Sequence, residues 1–288
     1  MLRPSHSFSR TSIFYLYYHI FPLILLILSC TIPSANASDT AFSYPTMAMR
    51  RAPPLIFPAA AKHTASVIFI HGLGDTGYGW ASAVENWRRR QRLDEVKFVL
   101  PHAPRLPITA AEGMPMPGWF DIFALSGKVE DIRANQDEAG ILKTRDYINE
   151  LIQAEVDAGI PASRIVVGGF SQGGATSLFT SLTAKAKLAG IVALSAWLPL
   201  DAKFPDFVKG SEDVNHETPV LMCHGDADPV VPTAFGRMSY EMLKGQGFDV
   251  TMKMYPGMGH SACLEELDEV EAFLQARLPR QEDKKSEL

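Results

Sequence analysis

The chain has few cysteines. Cys30, Cys223 and Cys263 are the only three in 288 residues, and no two are spaced as C-x-x-C. A disulfide framework and a cysteine-based zinc site are therefore excluded. There is no excess of basic residues either: 27 Lys and Arg against 32 Asp and Glu leave a net charge of -5. Nothing in that balance makes a surface for nucleic acid. No internal repeat recurs, so a solenoid is excluded. No linker separates one half of the chain from the other, and beyond Ala37 there is no Asn-x-Ser/Thr acceptor. With 47% hydrophobic residues, the chain can bury one large core.

The first 50 residues differ from the rest. Arg3 and Arg10 precede an uncharged apolar run over residues 13–29, and Ala35-Asn36-Ala37 follows as a small-residue cleavage pattern. Three readings fit this extension: a secretory signal, a single-pass anchor, or a leader ahead of a working start at Met47 or Met49. His19 and Pro22 interrupt the run, and its length sits at the short limit of the roughly 17–25 residues of a spanning helix. Residues 280–288 read as a solvated polar tail; Lys285-Ser286-Glu287-Leu288 lacks the acidic pair of a retrieval signal.

Between these ends, strands and helices alternate. Short apolar runs at 66–70, 96–100, 165–167, 191–194, 220–223 and 250–255 read as buried strands. Helical patterns cover 80–91, 137–157, 173–183, 233–244 and 264–278. The clearest places Ile141, Ile148, Leu151, Ile152 and Val156 on one face, and Gly159 and Pro161 end it. Residues 52–58 read as an extended surface segment. Residues 101–118, with five prolines, read as a long loop with an apolar end. The class is α/β with a mainly parallel sheet, in which sites form beyond the carboxyl ends of the strands.

The chemistry collects at those ends. Gly169-Phe170-Ser171-Gln172-Gly173 joins a β-branched strand to a helix of small residues. Such a turn holds its serine in a strained conformation and pushes the hydroxyl out past the sheet. A serine hydroxyl needs an adjacent base, and His260, after the last strand and flanked by Gly257 and Gly259, is the best placed. His71, His102 and His224 also follow strands and read as hydrogen-bonded loop residues. An imidazole needs a carboxylate to fix its tautomer. Asp226 and Asp228 both follow the strand at 220–223. Pro229 pins a turn that favours Asp228 as the partner and leaves Asp226 to brace the loop. The order Ser171, Asp228, His260 is that of the α/β-hydrolases.

Six segments sharpen the reading: His71-Gly-Leu-Gly-Asp-Thr-Gly77, Pro117-Gly-Trp-Phe-Asp121, Gly168-Gly-Phe-Ser-Gln-Gly-Gly174, Trp197-Leu-Pro-Leu200, His224-Gly-Asp-Ala-Asp-Pro229 and Gly259-His260. Together they resemble the acyl-protein thioesterase family, in unbroken order over residues 53–278. Ala196 departs from the cysteine many relatives carry there. The resemblance implies a single α/β-hydrolase domain over residues 51–279, with the triad Ser171, Asp228 and His260. It implies an oxyanion hole from the backbone N–H groups of Leu73 and Gln172, and no metal or cofactor. It also implies removal of palmitoyl groups from protein cysteines, including those of GTP-binding proteins, in cytoplasm and nucleus. A secretory location is the alternative if residues 1–37 act as a signal. Lysophospholipid or general carboxylester hydrolysis, and a catalytically silent lipid carrier, are the competing functions. Leu73, Met114, Met116, Trp119 and Trp197 are the apolar residues expected to line an acyl groove, core packing being the alternative for all of them and an equal one for Trp197. Partners are then acylated proteins met in transient contact with a membrane surface, with a weak homodimer compatible.

Overall fold

A computed structural model describes residues 51–124 and 128–281. The signal-like extension over residues 1–50 and most of the polar tail lie outside the described residues.

Seven strands make one sheet. They are β1 (Leu55–Phe57), β2 (Ala65–Ile70), β3 (Val96–Leu100), β6 (Ile165–Phe170), β7 (Gly190–Leu194), β8 (Val220–Gly225) and β9 (Val250–Tyr255), with a separate hairpin of β4 (Arg105–Ile108) and β5 (Met114–Pro117). The order across the sheet is β1-β3-β2-β6-β7-β8-β9. Only β1 runs antiparallel, pairing Ile56 with Val99; the other six strands are parallel. The segment expected to lie extended on the surface is thus an edge strand of the sheet.

The parallel strands are apolar throughout because both faces are covered. Along β2, Val67 and Phe69 pack on one side with Trp80, Val84 and Trp87, beneath α1 (Ala81–Arg89) and α7 (Leu264–Arg277). Ile68 and Ile70 face the other side, under α3 (Glu138–Asp157) and α4 (Gln172–Leu182). Asp137 caps α3, its Oδ1 accepting the Gly140 N–H at 2.9 Å. The far end of α3 is fixed to the sheet by Glu155, which accepts from Ser66 Oγ at 2.6 Å and pairs with Lys97 Nζ at 2.5 Å. Such a buried pair positions the helix more than it stabilises the fold.

The long loop expected over residues 101–118 is corrected in part: residues 105–117 form the β4–β5 hairpin. Its register sets Pro107 opposite Pro115, so the prolines that argued against a strand sit in a two-stranded ribbon outside the main sheet. Two short helices, α2 (Val129–Ala134) and α5 (Phe204–Gly210), carry too few residues to show a period. The remaining helix, α6 (Thr233–Gly245), packs beside β8 and β9. Among the described residues, no helix is long and apolar enough to cross a membrane.

Candidate active site

Ser171 stands between β6 and α4 with φ 55° and ψ -122°, a left-handed region that a side chain occupies only under strain. The glycines around it allow the reversal. A Cβ on Gly173 would lie 2.1 Å from the Ile70 carbonyl oxygen, and one on Gly169 would lie 2.4 Å from the Gly173 backbone. The Ser171 N–H donates to Leu194 O at 2.8 Å, which ties the turn to β7.

His260 arrives from the other end of the chain. The loops after β8 and β9 are laced together: the Asp226 N–H donates to Tyr255 O, the Ala227 N–H to Met258 O, and the Gly257 N–H to Asp226 Oδ1 at 2.6 Å. Gly225 is obligatory there, since a Cβ would sit 2.0 Å from Met258 O. The lacing leaves His260 Nε2 2.9 Å from Ser171 Oγ, with Nδ1 2.8 Å from Asp228 Oδ2. The ring of Phe170 lies against it, centroids 4.8 Å apart.

Asp228 is held from several sides. Its Oδ1 accepts the N–H groups of Val230 and Val231 at 2.8 and 2.9 Å. Burial alone would raise this carboxyl. Hydrogen bonds from His224 and His260, the charge of His260 and the Val230 N–H outweigh that and hold it well below the usual carboxylate range. Asp228 is therefore a carboxylate near neutral pH, and a carboxylate only accepts. The neutral His260 ring must then carry its proton on Nδ1 and turn its Nε2 lone pair toward the Ser171 hydroxyl.

The structure brings Leu73 and Gln172 beside the serine. A Cβ on Gly72 would lie 3.3 Å from Ser171 Cβ, so the turn that carries Leu73 runs beside Ser171, and Gln172 opens α4. His71 steadies that turn: it is fully buried, donates from Nδ1 to Gly72 O at 2.7 Å, and accepts the Ala103 N–H at Nε2. Burial pushes its ring down to about 4, against the pull of the Gly72 carbonyl. It stays neutral over the working pH range. His102 accepts the Gly77 N–H.

The five acyl-groove candidates separate. Met114 is exposed at the hairpin tip, and Met116 and Leu73 are partly buried against the core. Trp119 is a correction: it is closed into the core, its Nε1–H donating to His71 O at 2.7 Å and its ring stacked on Tyr147. Trp197 is likewise buried, stacked on Phe235 and edge-on to Phe120. The sequence reading missed the side chain of Gln172. Its Oε1 accepts the Trp119 N–H at 2.8 Å and its Nε2–H donates to Phe120 O at 2.6 Å, fastening the serine turn to the segment after the hairpin. Among the described residues, no group of three His, Cys, Asp or Glu side chains is arranged to hold a metal ion.

The sheet and the placement of these side chains at its carboxyl edge are those of an α/β-hydrolase. Residues 52–278 match the phospholipase/carboxylesterase family. Acyl-protein thioesterase 1 of Neurospora crassa is 64% identical over 243 residues, which cover 83% of this chain and 99% of that relative. The protein of the same name from Gibberella zeae is 60% identical over 233 residues, 81% of this chain and 99% of the relative. Among solved structures, acyl-protein thioesterase 2 of Zea mays superimposes with a TM-score of 0.69 at 31% identity, covering 78% of this chain and 98% of that one. The chain belongs to the acyl-protein thioesterase family and is a serine hydrolase.

Proposed function

We propose that this protein removes long-chain acyl groups from S-acylated cysteines of proteins, with GTP-binding proteins among its substrates, by an acyl-enzyme route through Ser171. The unbroken path from Ser171 Oγ through the His260 ring to Asp228 Oδ2 carries the proposal. Ser171 Oγ attacks the thioester carbonyl while His260 Nε2 takes its proton. The oxyanion is met by the backbone N–H groups of Leu73 and Gln172; loss of one such donor typically costs about 10²–10³ in rate. The imidazolium, steadied by Asp228, protonates the departing cysteine sulfur. A water molecule then gives a proton to His260 and attacks the acyl carbonyl, and the imidazolium returns that proton to Ser171 Oγ as the ester bond breaks, freeing the fatty acid and restoring both side chains.

Esters and thioesters both suit this machinery, so the acyl site decides the substrate. Each methylene leaving a membrane costs about 0.8 kcal/mol, and apolar cover over ten of them offsets roughly 8 kcal/mol. In this proposal Leu73, together with Met114 and Met116 of the hairpin, gives that cover while the protein touches a membrane surface in cytoplasm or nucleus. The test compares palmitoyl and acetyl thioesters of one cysteine peptide at equal concentration. The proposal expects kcat/KM at least about tenfold higher for palmitoyl, the least that a single buried methylene gives. Equal values would contradict it and favour a general carboxylesterase. A lysophospholipid hydrolysed faster than either would favour the lipase reading.

A further inference from the structure

A second histidine stands behind the triad. His224, the penultimate residue of β8, is 1% exposed. Its Nε2 lies 3.0 Å from Val231 O and 3.4 Å from Asp228 Oδ2, the same carboxylate oxygen that accepts from His260. A carbonyl oxygen only accepts, so the His224 proton is on Nε2, and this N–H is shared between the Val231 carbonyl and the Asp228 carboxylate. The Val230 and Val231 N–H groups meanwhile occupy Asp228 Oδ1. His224 and Asp228 thus grip one turn from both sides.

The fold makes room for this ring at a cost. Gly236 lies inside α6, where glycine costs about 1 kcal/mol against alanine. A Cβ there would stand 2.5 Å from His224 Nδ1 and 2.9 Å from Cε1. The helix gives up a side chain at the point where the imidazole packs.

We infer that His224 is a positioning residue for the proposed reaction: the Val230 and Val231 N–H groups hold Oδ1 of Asp228, and the His224 Nε2–H draws charge from the remaining oxygen, the one that faces His260. The inference rests on the triad reading and deepens it. The groups facing Asp228 are His224 from β8, His260 from the loop after β9, and the N–H groups of its own turn; Ser171 and the Phe170 ring face His260 from β6 and its junction with α4. Removing the His224 donor leaves more charge on Oδ2. The carboxylate then holds a proton on His260 more tightly, and a higher pH is needed to free the base.

The test is the pH profile of kcat/KM for a soluble acyl thioester, measured on the full chain with wild type, His224→Leu, His224→Gln and Gly236→Ala. His224→Leu is expected to move the low-pH limb upward by about half to one pH unit and to lower the plateau about tenfold, with KM within about twofold. His224→Gln keeps an N–H near the same point and should restore most of the plateau and the wild-type limb. Gly236→Ala, which pushes the ring aside without removing it, should move the limb in the same direction and serves if His224→Leu does not fold. A limb unmoved in both His224→Leu and Gly236→Ala, or a glutamine variant no better than leucine, overturns the role. Ser171→Ala is assayed alongside. Full turnover in that variant would overturn the triad reading and the role of His224 together, whereas lost turnover with an unmoved limb overturns His224 alone.

Discussion

Asp228 Oδ2 accepts the Nδ1–H of His260 at 2.8 Å, whereas Asp226, two residues earlier, turns away and accepts the Gly257 N–H at 2.6 Å. The two carboxylates share one turn and divide its work: one faces His260, the other holds the loop that carries His260.

Asp228→Asn is therefore expected to lower kcat by about 10⁴, because an amide can donate to Nδ1 and so favour the wrong tautomer of His260. Asp226→Asn keeps an acceptor for Gly257 and should stay within about tenfold of wild type. Steady-state kinetics on one thioester give the ranking, and the reverse order would exchange the two roles.

The hairpin gives a second prediction. Met114 is 42% exposed at its tip. Met114→Asp should lower kcat/KM for a palmitoyl thioester by about tenfold, by loss of apolar contact, and leave the acetyl thioester unchanged within twofold. An equal fall for both substrates would place Met114 in the structure of the site and not in acyl recognition.

The meeting of Ser171, Asp228 and His260 was legible in the sequence because each follows a strand that could be read, and the carboxyl edge of a parallel sheet collects whatever follows its strands. The hairpin was not legible. Pro107, Pro115 and Pro117 lower strand propensity, and only the pairing of Pro107 with Pro115 shows how the ribbon absorbs them. The burial of Trp119 and Trp197 was equally hidden, since an apolar side chain in a loop does not declare whether it faces the core or a ligand. His224 was placed among hydrogen-bonded loop histidines. Its contact with Asp228 depends on the end of β8 extending to Gly225 and on Gly236 inside α6, a packing relation that no local pattern in the sequence carries.

Glu266 supplies a prediction about pH and stability. It is fully buried near the start of α7, with the Cys263 backbone N–H beside its carboxyl and no side chain donating to it. Burial pushes it up from an ordinary value of 4.5 to about 8, offset only in part by the Cys263 N–H. The folded state keeps this proton where the unfolded chain has lost it. The contribution to stability is thus complete below pH 4.5 and is lost progressively up to about pH 8. The shift is worth on the order of 3–5 kcal/mol. Urea midpoints of wild type should fall between pH 5 and pH 8.5, and those of Glu266→Gln should fall much less. Parallel curves would show that Glu266 is not the group responsible.

The account stands on Ser171 as the activated nucleophile, and intact-mass measurement after treatment with a fluorophosphonate addresses it most directly. The wild-type protein is expected to gain a single phosphonyl adduct, and Ser171→Ala, folded to the same circular-dichroism spectrum, to gain none. An adduct of the same yield on Ser171→Ala would contradict the assignment.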